Sequence, residues 1–172
     1  MKQENKQNQY MQKEFLKFYN SNADAVFRHC YYRISSREKA NDVMQEAFMR
    51  TWKYLADGNE IKNLKAFVYR VAKNLLIDEY RKNSESSLSA IQEKGYEAPS
   101  DSATQRIQKN AENSLLLDSL DKLKEEDKEV IIMRYIDDMR VKDIADILDE
   151  SENVVSVRIY RAKKRLKKII KS

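Results

Sequence analysis

Along the first third of the chain, apolar residues return every three or four positions, which is the spacing of a helix with one buried face. The pattern predicts one helix or two from about Tyr10 to Ile34. A further helix is predicted to begin at Ser35, because Ser35 and Glu38 have the residue types and the spacing of a capping box. The apolar stripe of this helix continues to Leu55 and is expected to be buried.

A third helix is predicted after a polar break at residues 53–62. The side chain of Asn63 is suited to capping this helix, and the apolar pattern then continues to about Lys82. Three amphipathic helices in succession predict a helical module over residues 10–82, since each must bury its apolar face against the others.

The carboxyl-terminal third contains a second helical pattern. Residues 141–148 place apolar side chains on one helical face, residues 149–153 are polar and favour a turn, and another helix is predicted from about Val154. Two short helices joined by a tight turn, with the small Ala145 where they must approach closely, are typical of a helix-turn-helix. The sequence therefore predicts a second module over residues 108–172.

The composition favours an all-α fold. The chain has 2 glycines and 1 proline in 172 residues, whereas sheet proteins need turn residues at short intervals. Gly95 and Pro99 lie among several serines between residues 83 and 107, where the helical pattern is lost. We therefore predict two helical modules joined by a flexible linker at 83–107.

Basic residues are concentrated near the carboxyl end. The net charge is only +5, but from Arg158 onward the chain carries many lysines and arginines and no acidic residue. A basic run alone usually indicates a solvated helix face, but this run continues a predicted helix-turn-helix, which favours DNA binding. The outward face of this helix carries Ser156, Val157, Tyr160, Arg161 and Lys164.

The second helix carries a polar stripe besides its apolar one, formed at helical spacing by Asp42, Gln45, Glu46 and Met49. Two carboxylates and an amide around a methionine suit docking to a partner rich in arginine and lysine. Spacing alone, however, favours an ordinary solvated face. A pair of catalytic acids is a poor alternative, because no glycine-rich loop, second acid pair or histidine accompanies the stripe.

The third helix interleaves cations and aromatic residues on its predicted outer faces, which carry Lys65, Tyr69, Arg70, Lys73, Asn74, Tyr80, Arg81 and Lys82. Such a surface suits the binding of phosphates and the stacking of unpaired bases. The alternative is that Tyr69 and Tyr80 only shield the edge of the core.

Residues for metal, disulfide or enzyme chemistry are scarce. Cys30 and His29 are single in the chain, and adjacent helical residues point about 100° apart, so no metal or other cofactor is expected. No nucleophile or phosphate-binding constellation indicates an enzyme. The amino terminus has no signal-peptide core and no apolar run reaches the length of a membrane span, so we expect a cytoplasmic protein without membrane insertion.

Three segments resemble the sigma-70 family of bacterial RNA polymerase sigma factors. Residues 40–52, ANDVMQEAFMRTW, resemble the core-polymerase-binding helix of region 2, and residues 66–81, AFVYRVAKNLLIDEYR, resemble its −10 element helix. Residues 144–164 resemble region 4, which reads the −35 element. Regions 1.1 and 3 have no counterpart, so the resemblance indicates the extracytoplasmic-function (ECF) group.

The resemblance implies a factor that binds core RNA polymerase, recognises −10 and −35 promoter elements and directs transcription initiation. The implied partners are polymerase, promoter DNA and an anti-sigma factor. Contacts with the clamp helices of the largest polymerase subunit would come from Asp42, Gln45, Glu46 and Met49. The implied −10 residues are Trp52, Tyr54, Asn59, Lys62, Lys65, Tyr69, Arg70, Lys73, Asn74 and Arg81. The implied −35 residues are Asn153, which can either cap the helix or take a left-handed conformation, Ser156, Val157, Arg158, Tyr160, Arg161 and Lys164.

The length of the predicted linker bears on how a promoter would be read. A flexible chain of about 25 residues has a relaxed end-to-end distance of about 25–30 Å, whereas roughly 25 base pairs of B-form DNA between the two elements span about 85 Å. We therefore expect polymerase to hold the modules apart and the free protein to bind promoters poorly. The alternative function is a stand-alone helix-turn-helix repressor or activator, which binds an operator as a dimer and is separable from a monomeric sigma factor by gel filtration.

Overall fold

The computed structural model of the chain describes residues 2–87 and 114–171, with side chains described for residues 9–82 and 114–171. These residues form helices and no strand, as predicted for an all-α protein. The first range contains α1 (Lys2–Ile34), α2 (Arg37–Ala56) and α3 (Leu64–Ser87). The second range contains α4 at residues 114–121, α5 (Glu125–Ile131), a π-helical turn (Ile132–Ile136), α6 (Val141–Leu148) and α7 (Glu152–Lys171).

The amino-terminal module is a three-helix bundle in which each helix packs against the other two. The apolar stripe predicted for the second helix is buried in its core, and the buried residues of α2 are Ala40, Val43, Met44, Ala47, Phe48 and Thr51. The Phe48 ring lies against Tyr19 edge-on, with 4.8 Å between the ring centroids. Burial of this stripe stabilises the bundle, because burying one large apolar side chain contributes roughly 1.5–3 kcal/mol.

The junction between α1 and α2 differs from the prediction by one residue. α1 is a single helix, and it ends at Ser35, which has a positive φ of 57° and donates its N–H to the carbonyl of Tyr31 at 2.8 Å. Ser36 then caps α2 by accepting the N–H of Lys39 on its hydroxyl at 3.4 Å. The predicted capping box of Ser35 and Glu38 is wrong, because Ser35 already serves to end the preceding helix.

Both ends of α3 can be compared with the prediction. Asn63 caps the helix as predicted, with its side-chain oxygen accepting the N–H of Ala66 at 3.0 Å. The helix continues to Ser87, so its predicted end near Lys82 is too early. No glycine or proline precedes Gly95 in this stretch, which removes the usual reason for a helix to stop. The rest of the predicted linker, residues 88–107, lies outside the described residues.

In the carboxyl-terminal module, α7 packs against both α5 and α6. Its inner stripe is buried as predicted at Val155, Ile159 and Ala162, and Leu166 is half-buried. Ala145 of α6 is also buried, in agreement with its predicted position at a close helix approach. These buried residues belong to the same apolar cluster as the core of the amino-terminal bundle.

The turn of the helix-turn-helix is shorter than predicted. Asp149 adopts a left-handed conformation, with φ 56° and ψ 44°, and this ends α6. Ser151 then accepts the N–H of Val154 on its hydroxyl at 3.3 Å, and α7 begins at Glu152. The predicted start at Val154 and the predicted cap Asn153 are therefore wrong by two residues, because the left-handed Asp149 reverses the chain quickly.

The π-helical turn replaces what was predicted as regular helix. The N–H of Asp137 donates to the carbonyl of Ile132 at 2.9 Å, which spans one residue more than an α-helical bond. This turn packs against α1, and α6 packs against α3. The two modules are therefore in contact, and we call the contact of α1 and α3 with α5, the π turn and α6 the closed interface.

Candidate functional site

The four α2 residues predicted to meet a partner lie on one side of the helix, away from its buried stripe. Asp42 and Gln45 are exposed, Met49 is 66% exposed and Glu46 is half-buried. Glu46 accepts a hydrogen bond from the Arg50 guanidinium at 2.6 Å, so its charge is partly balanced already. This face can dock a basic partner around an apolar contact at Met49.

Polar and aromatic side chains border the loop between α2 and α3. Tyr54 is 40% exposed and packs against the ring of Phe67, with 4.9 Å between the centroids. Asn59 donates its side-chain amide to the carbonyl of Tyr54 at 3.0 Å. Lys62 and Lys65 are exposed nearby in the sequence. The loop therefore presents an aromatic edge with cations around it, which suits a stacked base and its phosphates.

Two aromatic residues predicted to meet DNA pack against side chains of α1. Trp52 is half-buried, with its ring 5.2 Å from that of Phe15. Tyr69 is 1% exposed and meets the ring of His29 edge-on at 5.0 Å. Tyr69 therefore does not point outward in this conformation, and its burial agrees with the alternative prediction that it shields the core. Burial raises the pKa of the Tyr69 hydroxyl, so the phenol stays protonated.

Two cations of α3 predicted to contact the −10 element are engaged by the carboxyl-terminal module. The Arg70 guanidinium donates to the backbone carbonyl of Asp146, at 3.0 Å from its Nε. The Lys73 ammonium lies 3.6 Å from the carboxylate of Glu129. Both cations therefore meet oxygen acceptors within the chain itself.

The remaining α3 residues predicted for the −10 element are exposed. Asn74 is open to solvent, and Arg81 is exposed while forming an ion pair with Asp78 at 3.4 Å. An exposed pair of this kind contributes little to stability and is easily exchanged for a phosphate. Around Tyr69, Arg70 and Lys73, α3 contacts the carboxyl-terminal module, although the Arg70 side chain stays exposed.

At the centre of the closed interface lies the buried side chain of Arg33. It donates to Glu129 at 3.1 Å and to Glu125 at 3.4 Å, while its backbone carbonyl accepts from Lys128 at 3.1 Å and from the Tyr80 hydroxyl. Burial lowers the pKa of Arg33, but Glu129, Tyr80 and Glu125 together raise it by more, so the guanidinium stays charged. Burial also raises the pKa of Tyr80 to about 12.

A second polar contact joins α1 to the residue that follows the π turn. His29 Nδ1 and Asp137 Oδ2 are 2.8 Å apart, and both side chains are fully buried. Four buried polar atoms around this contact have no hydrogen-bond partner among the described residues: His29 Nε2, Asp137 Oδ1, Arg33 Nε and the Tyr69 hydroxyl. The closed interface is therefore polar and only partly satisfied.

The outward face of α7 is open to solvent. Exposed side chains include all but one of the residues predicted to read the −35 element: Asn153, Ser156, Val157, Tyr160, Arg161 and Lys164. Eight lysines and arginines lie on this helix against the single acid Glu152. Val157 and Tyr160 can contact base edges while the cations meet the phosphate backbone.

Arg158 is the exception on α7. It is half-buried and donates to Glu150 in the preceding turn at 2.8 Å. A phosphate contact by Arg158, as predicted, would therefore have to compete with the Glu150 carboxylate. The pair ties the recognition helix to the turn that precedes it.

The part of the chain that the structure describes was also searched for metal sites and for membrane-spanning helices. No group of three or more histidine, cysteine or acidic side chains there could hold a metal ion. Cys30 is buried, and burial raises the pKa of its thiol to about 12. None of the described helices has the length and apolar character needed to cross a membrane.

Sequence reasoning missed the residues of the closed interface. His29 and Arg33 are four positions apart on α1, so they share one helix face among apolar neighbours. Glu129 and Asp137 lie at the two ends of the mostly apolar stretch 130–136. Polar residues in these positions were a signal for a buried polar contact, but periodicity could not indicate that the two sets pair with each other.

Comparison with known proteins identifies both modules. The model for Sigma-70 region 2 matches residues 18–86, and the model for Sigma-70, region 4 matches residues 114–166. The ECF RNA polymerase sigma factor SigW of Bacillus subtilis (strain 168) is 26% identical over 158 residues, which cover 84% of this chain and 82% of that protein. The ECF RNA polymerase sigma-E factor of Escherichia coli (strain K12) is 29% identical over 137 residues, covering 73% and 70%.

A solved structure is similar in fold as well. The sigma factor RpoE from Bartonella quintana, in a co-crystal with the anti-sigma factor NepR, matches with a TM-score of 0.71 and 23% identity, over 92% of this chain and 98% of that one. The two matched regions lie in the order that the resemblance indicated, and they favour a sigma factor over a stand-alone repressor. The chain belongs to the sigma-70 family, as a sigma factor of the ECF type.

Proposed function

We propose that the two modules of this ECF sigma factor contact different parts of the transcription machinery. Residues 10–82 bind core RNA polymerase and the −10 element, and residues 108–172 bind the −35 element. The observation that carries this proposal is the pair of exposed faces, one acidic on α2 and one basic on α7, each within a matched sigma-70 region. Opposite charge suits them to different partners.

The exposed face of α2 is the proposed polymerase contact, made through Asp42, Gln45, Glu46 and Met49. Its partner in the proposal is the pair of clamp helices of the largest subunit. The Glu46–Arg50 pair is exposed and exchangeable, so a basic residue of polymerase can replace Arg50. Asp42 and Gln45, which lie in the open, are the residues expected to lose most when changed.

A pull-down of core RNA polymerase tests this contact. The double variant Asp42→Arg/Gln45→Ala should retain little polymerase, because removing one partner of a desolvated charge pair typically costs about 2–5 kcal/mol. Asp24→Arg is a matched control, since Asp24 is an exposed acid on α1 outside the four-residue face. Retention of polymerase by the double variant at the wild-type level would place the contact elsewhere.

The −10 element is proposed to meet α3 and the loop before it. Tyr54, with Lys62 and Lys65 around it, supports stacking and phosphate binding at the loop. Arg70 and Lys73 are also proposed for this surface, and in the free chain they contact Asp146 and Glu129. The −35 element is proposed to meet the open face of α7, where Tyr160 and Arg161 are exposed.

An anti-sigma factor is a further proposed partner, and the cytoplasm is the proposed location. Support for the partner comes from the similar fold of the Bartonella quintana sigma factor, which was solved with its anti-sigma factor. Co-purification of the tagged chain from its own cells, followed by identification of the bound proteins, tests this. Polymerase subunits without any smaller acidic or membrane-anchored partner would argue against an anti-sigma factor.

A further inference from the structure

The outward face of α7 changes in chemical character along the helix. Over the first two turns it carries Asn153, Ser156 and Val157, and Tyr160 follows at the start of the third turn. The cations of this face begin only at Arg161. The amino-terminal part of the face is therefore uncharged, whereas the part that follows it is basic.

The uncharged part lies where base recognition is expected. In a helix-turn-helix, the amino-terminal residues of the second helix contact base edges in the major groove. The commonest specific contact in that groove is a bidentate hydrogen bond from arginine or lysine to guanine. The outward face of α7 has neither residue in its first two turns. It therefore lacks the usual means of selecting a guanine.

The nearest cation in the sequence, Arg158, is held at the side of the helix. It is half-buried, and its guanidinium donates to the Glu150 carboxylate at 2.8 Å. To read a guanine, Arg158 would have to give up this bond and turn away from the residues that precede α7. The Glu150 carboxylate therefore keeps Arg158 from compensating for the missing cation.

Val157 lies at the centre of the outward face. It is 41% exposed, with Asn153 one turn before it and Tyr160 one turn after it. The valine side chain has no hydrogen-bonding group, so the feature of a base edge that it suits is the C5 methyl group of thymine, which lies in the major groove. Contact between the two apolar groups removes both from water, which is favourable.

Asn153 is available for a base because it is not used as the helix cap. Ser151 accepts the N–H of Val154 at 3.3 Å, and the side chain of Asn153 is exposed. An asparagine amide can bond to both N6 and N7 of adenine. Asn153 and Val157 are about 6 Å apart along the helix axis, so they can reach different base pairs of one short element.

We propose that Val157 determines base specificity in the −35 element by contacting the methyl group of a thymine, and that Asn153 pairs with an adenine in the same element. This inference rests on the proposed function, because it matters only if α7 contacts the −35 element. The uncharged part of α7 then selects A·T pairs, and the basic part that follows contributes phosphate contacts that do not depend on sequence.

Selection from a promoter library with a randomised −35 segment, using core polymerase with the full chain, identifies the element. The wild-type complex should enrich adenine and thymine there. Each enriched thymine is then replaced by deoxyuridine, which lacks the methyl group and keeps the hydrogen-bonding groups of the base. Binding should weaken about three- to fivefold at one position, as expected for the loss of one buried methyl group.

Val157→Ala tests whether this position faces Val157. In this variant, thymine and deoxyuridine should bind equally well there, because the contact has already been lost. Val154→Ala is the matched control, since Val154 is also an exposed valine of α7 but is not among the proposed −35 residues. It should keep the wild-type sensitivity. A full deoxyuridine effect in Val157→Ala, or its loss in Val154→Ala instead, would overturn the role assigned to Val157.

A change of specificity gives a second test. Val157→Arg should select guanine in place of thymine at the methyl-sensitive base pair or its neighbour, and Asn153→Ala should lower the preference for adenine about tenfold. Selection of the wild-type element by both variants would overturn the inference.

The selection also separates this inference from the proposed function. A wild-type complex that enriches no −35 sequence would overturn the proposed function. An enriched element that shows no loss of binding with deoxyuridine at any thymine would overturn the inference and leave the proposed function standing.

Discussion

Two helices of this sigma factor are proposed to meet promoter DNA, and the chain presents them differently. α7 buries one face in its own module and exposes the other, whereas α3 packs on its own bundle on one side and contacts the second module over part of the other. Tyr160 on α7 is 70% exposed and Tyr69 on α3 is 1% exposed. A helix face that is polar and cationic in sequence is therefore available for DNA only if no other part of the chain binds it first.

The largest expected difference between the two helices is in stability. Tyr69→Ala should lower the free energy of unfolding by about 3–5 kcal/mol, because a buried ring leaves a cavity. Tyr160→Ala should change it by no more than about 0.5 kcal/mol, because its ring is in solvent. Urea denaturation followed by circular dichroism compares them, and similar losses for both would mean that α3 is not covered in solution.

In DNA binding by the free chain, substitutions on α7 should have the larger effect and substitutions on α3 the smaller one. Arg161→Ala/Lys164→Ala on α7 should weaken binding to duplex DNA about tenfold and reduce the salt dependence by about one unit per lost cation. Arg70→Ala/Lys73→Ala on α3 should have little effect, because these cations already hold acceptors within the chain. Fluorescence anisotropy at several salt concentrations measures both.

In the polymerase complex the α3 double variant should become defective. Arg70→Ala/Lys73→Ala should reduce promoter melting. Permanganate reactivity measures the melting, on a promoter that has been selected with the wild-type complex. Normal melting by this variant would exclude the two cations from the −10 contact.

A smaller effect is expected from the Tyr69 hydroxyl. Because this buried hydroxyl has no hydrogen-bond partner among the residues that the structure describes, Tyr69→Phe should raise the free energy of unfolding by up to about 1 kcal/mol. Tyr160→Phe is the comparison on α7 and should be neutral. A loss of stability in Tyr69→Phe would indicate that the hydroxyl has a partner in solution, such as a bound water.

The smallest expected effect is at the start of α6, the helix whose Asp146 carbonyl accepts from Arg70. The hydrogen bond from Arg140 holds the pKa of Asp143 below its ordinary value of 3.8. A carboxyl with a lowered pKa in the folded state stabilises the fold above its unfolded pKa, and this contribution is lost as the pH falls through the folded pKa. Asp143→Asn should therefore lower the urea midpoint slightly at pH 6 and not at all well below pH 3.8, the effect being small because the pair is solvent-exposed.

The positions of the helices could be predicted from the sequence where a helix buries a single apolar stripe. The boundaries of α6, the buried stripe of α2 and the Asn63 cap follow from spacing and from side-chain chemistry within a few residues. The exact caps at Ser36 and Ser151 were missed, because several serines and acids compete there and the left-handed residues Ser35 and Asp149 decide among them. Side-chain chemistry near a helix end therefore limits which residues can cap the helix, but it does not identify the one that does.

The candidate site was predictable on α2 and α7 and not on α3. Asp42, Gln45, Tyr160 and Arg161 lie in solvent as their spacing indicated. Tyr69 is buried instead, because its ring packs on His29 of α1, which in turn contacts Asp137 of the other module. A contact between residues so far apart in sequence leaves no trace in helical periodicity. Polar residues on an otherwise apolar helix face are the sequence signal of such a contact, but they do not indicate which residues they will pair with.

The π-helical turn at Ile132–Ile136 affects how this sequence can evolve. Its extra residue offsets the helix by about 100°, which lets α5 keep its packing while Asp137 points at His29. Loss of one codon within the turn would restore a regular helix and swing Asp137 away from α1. We expect a single deletion here to break the His29–Asp137 contact and so to weaken the packing of the two modules on each other.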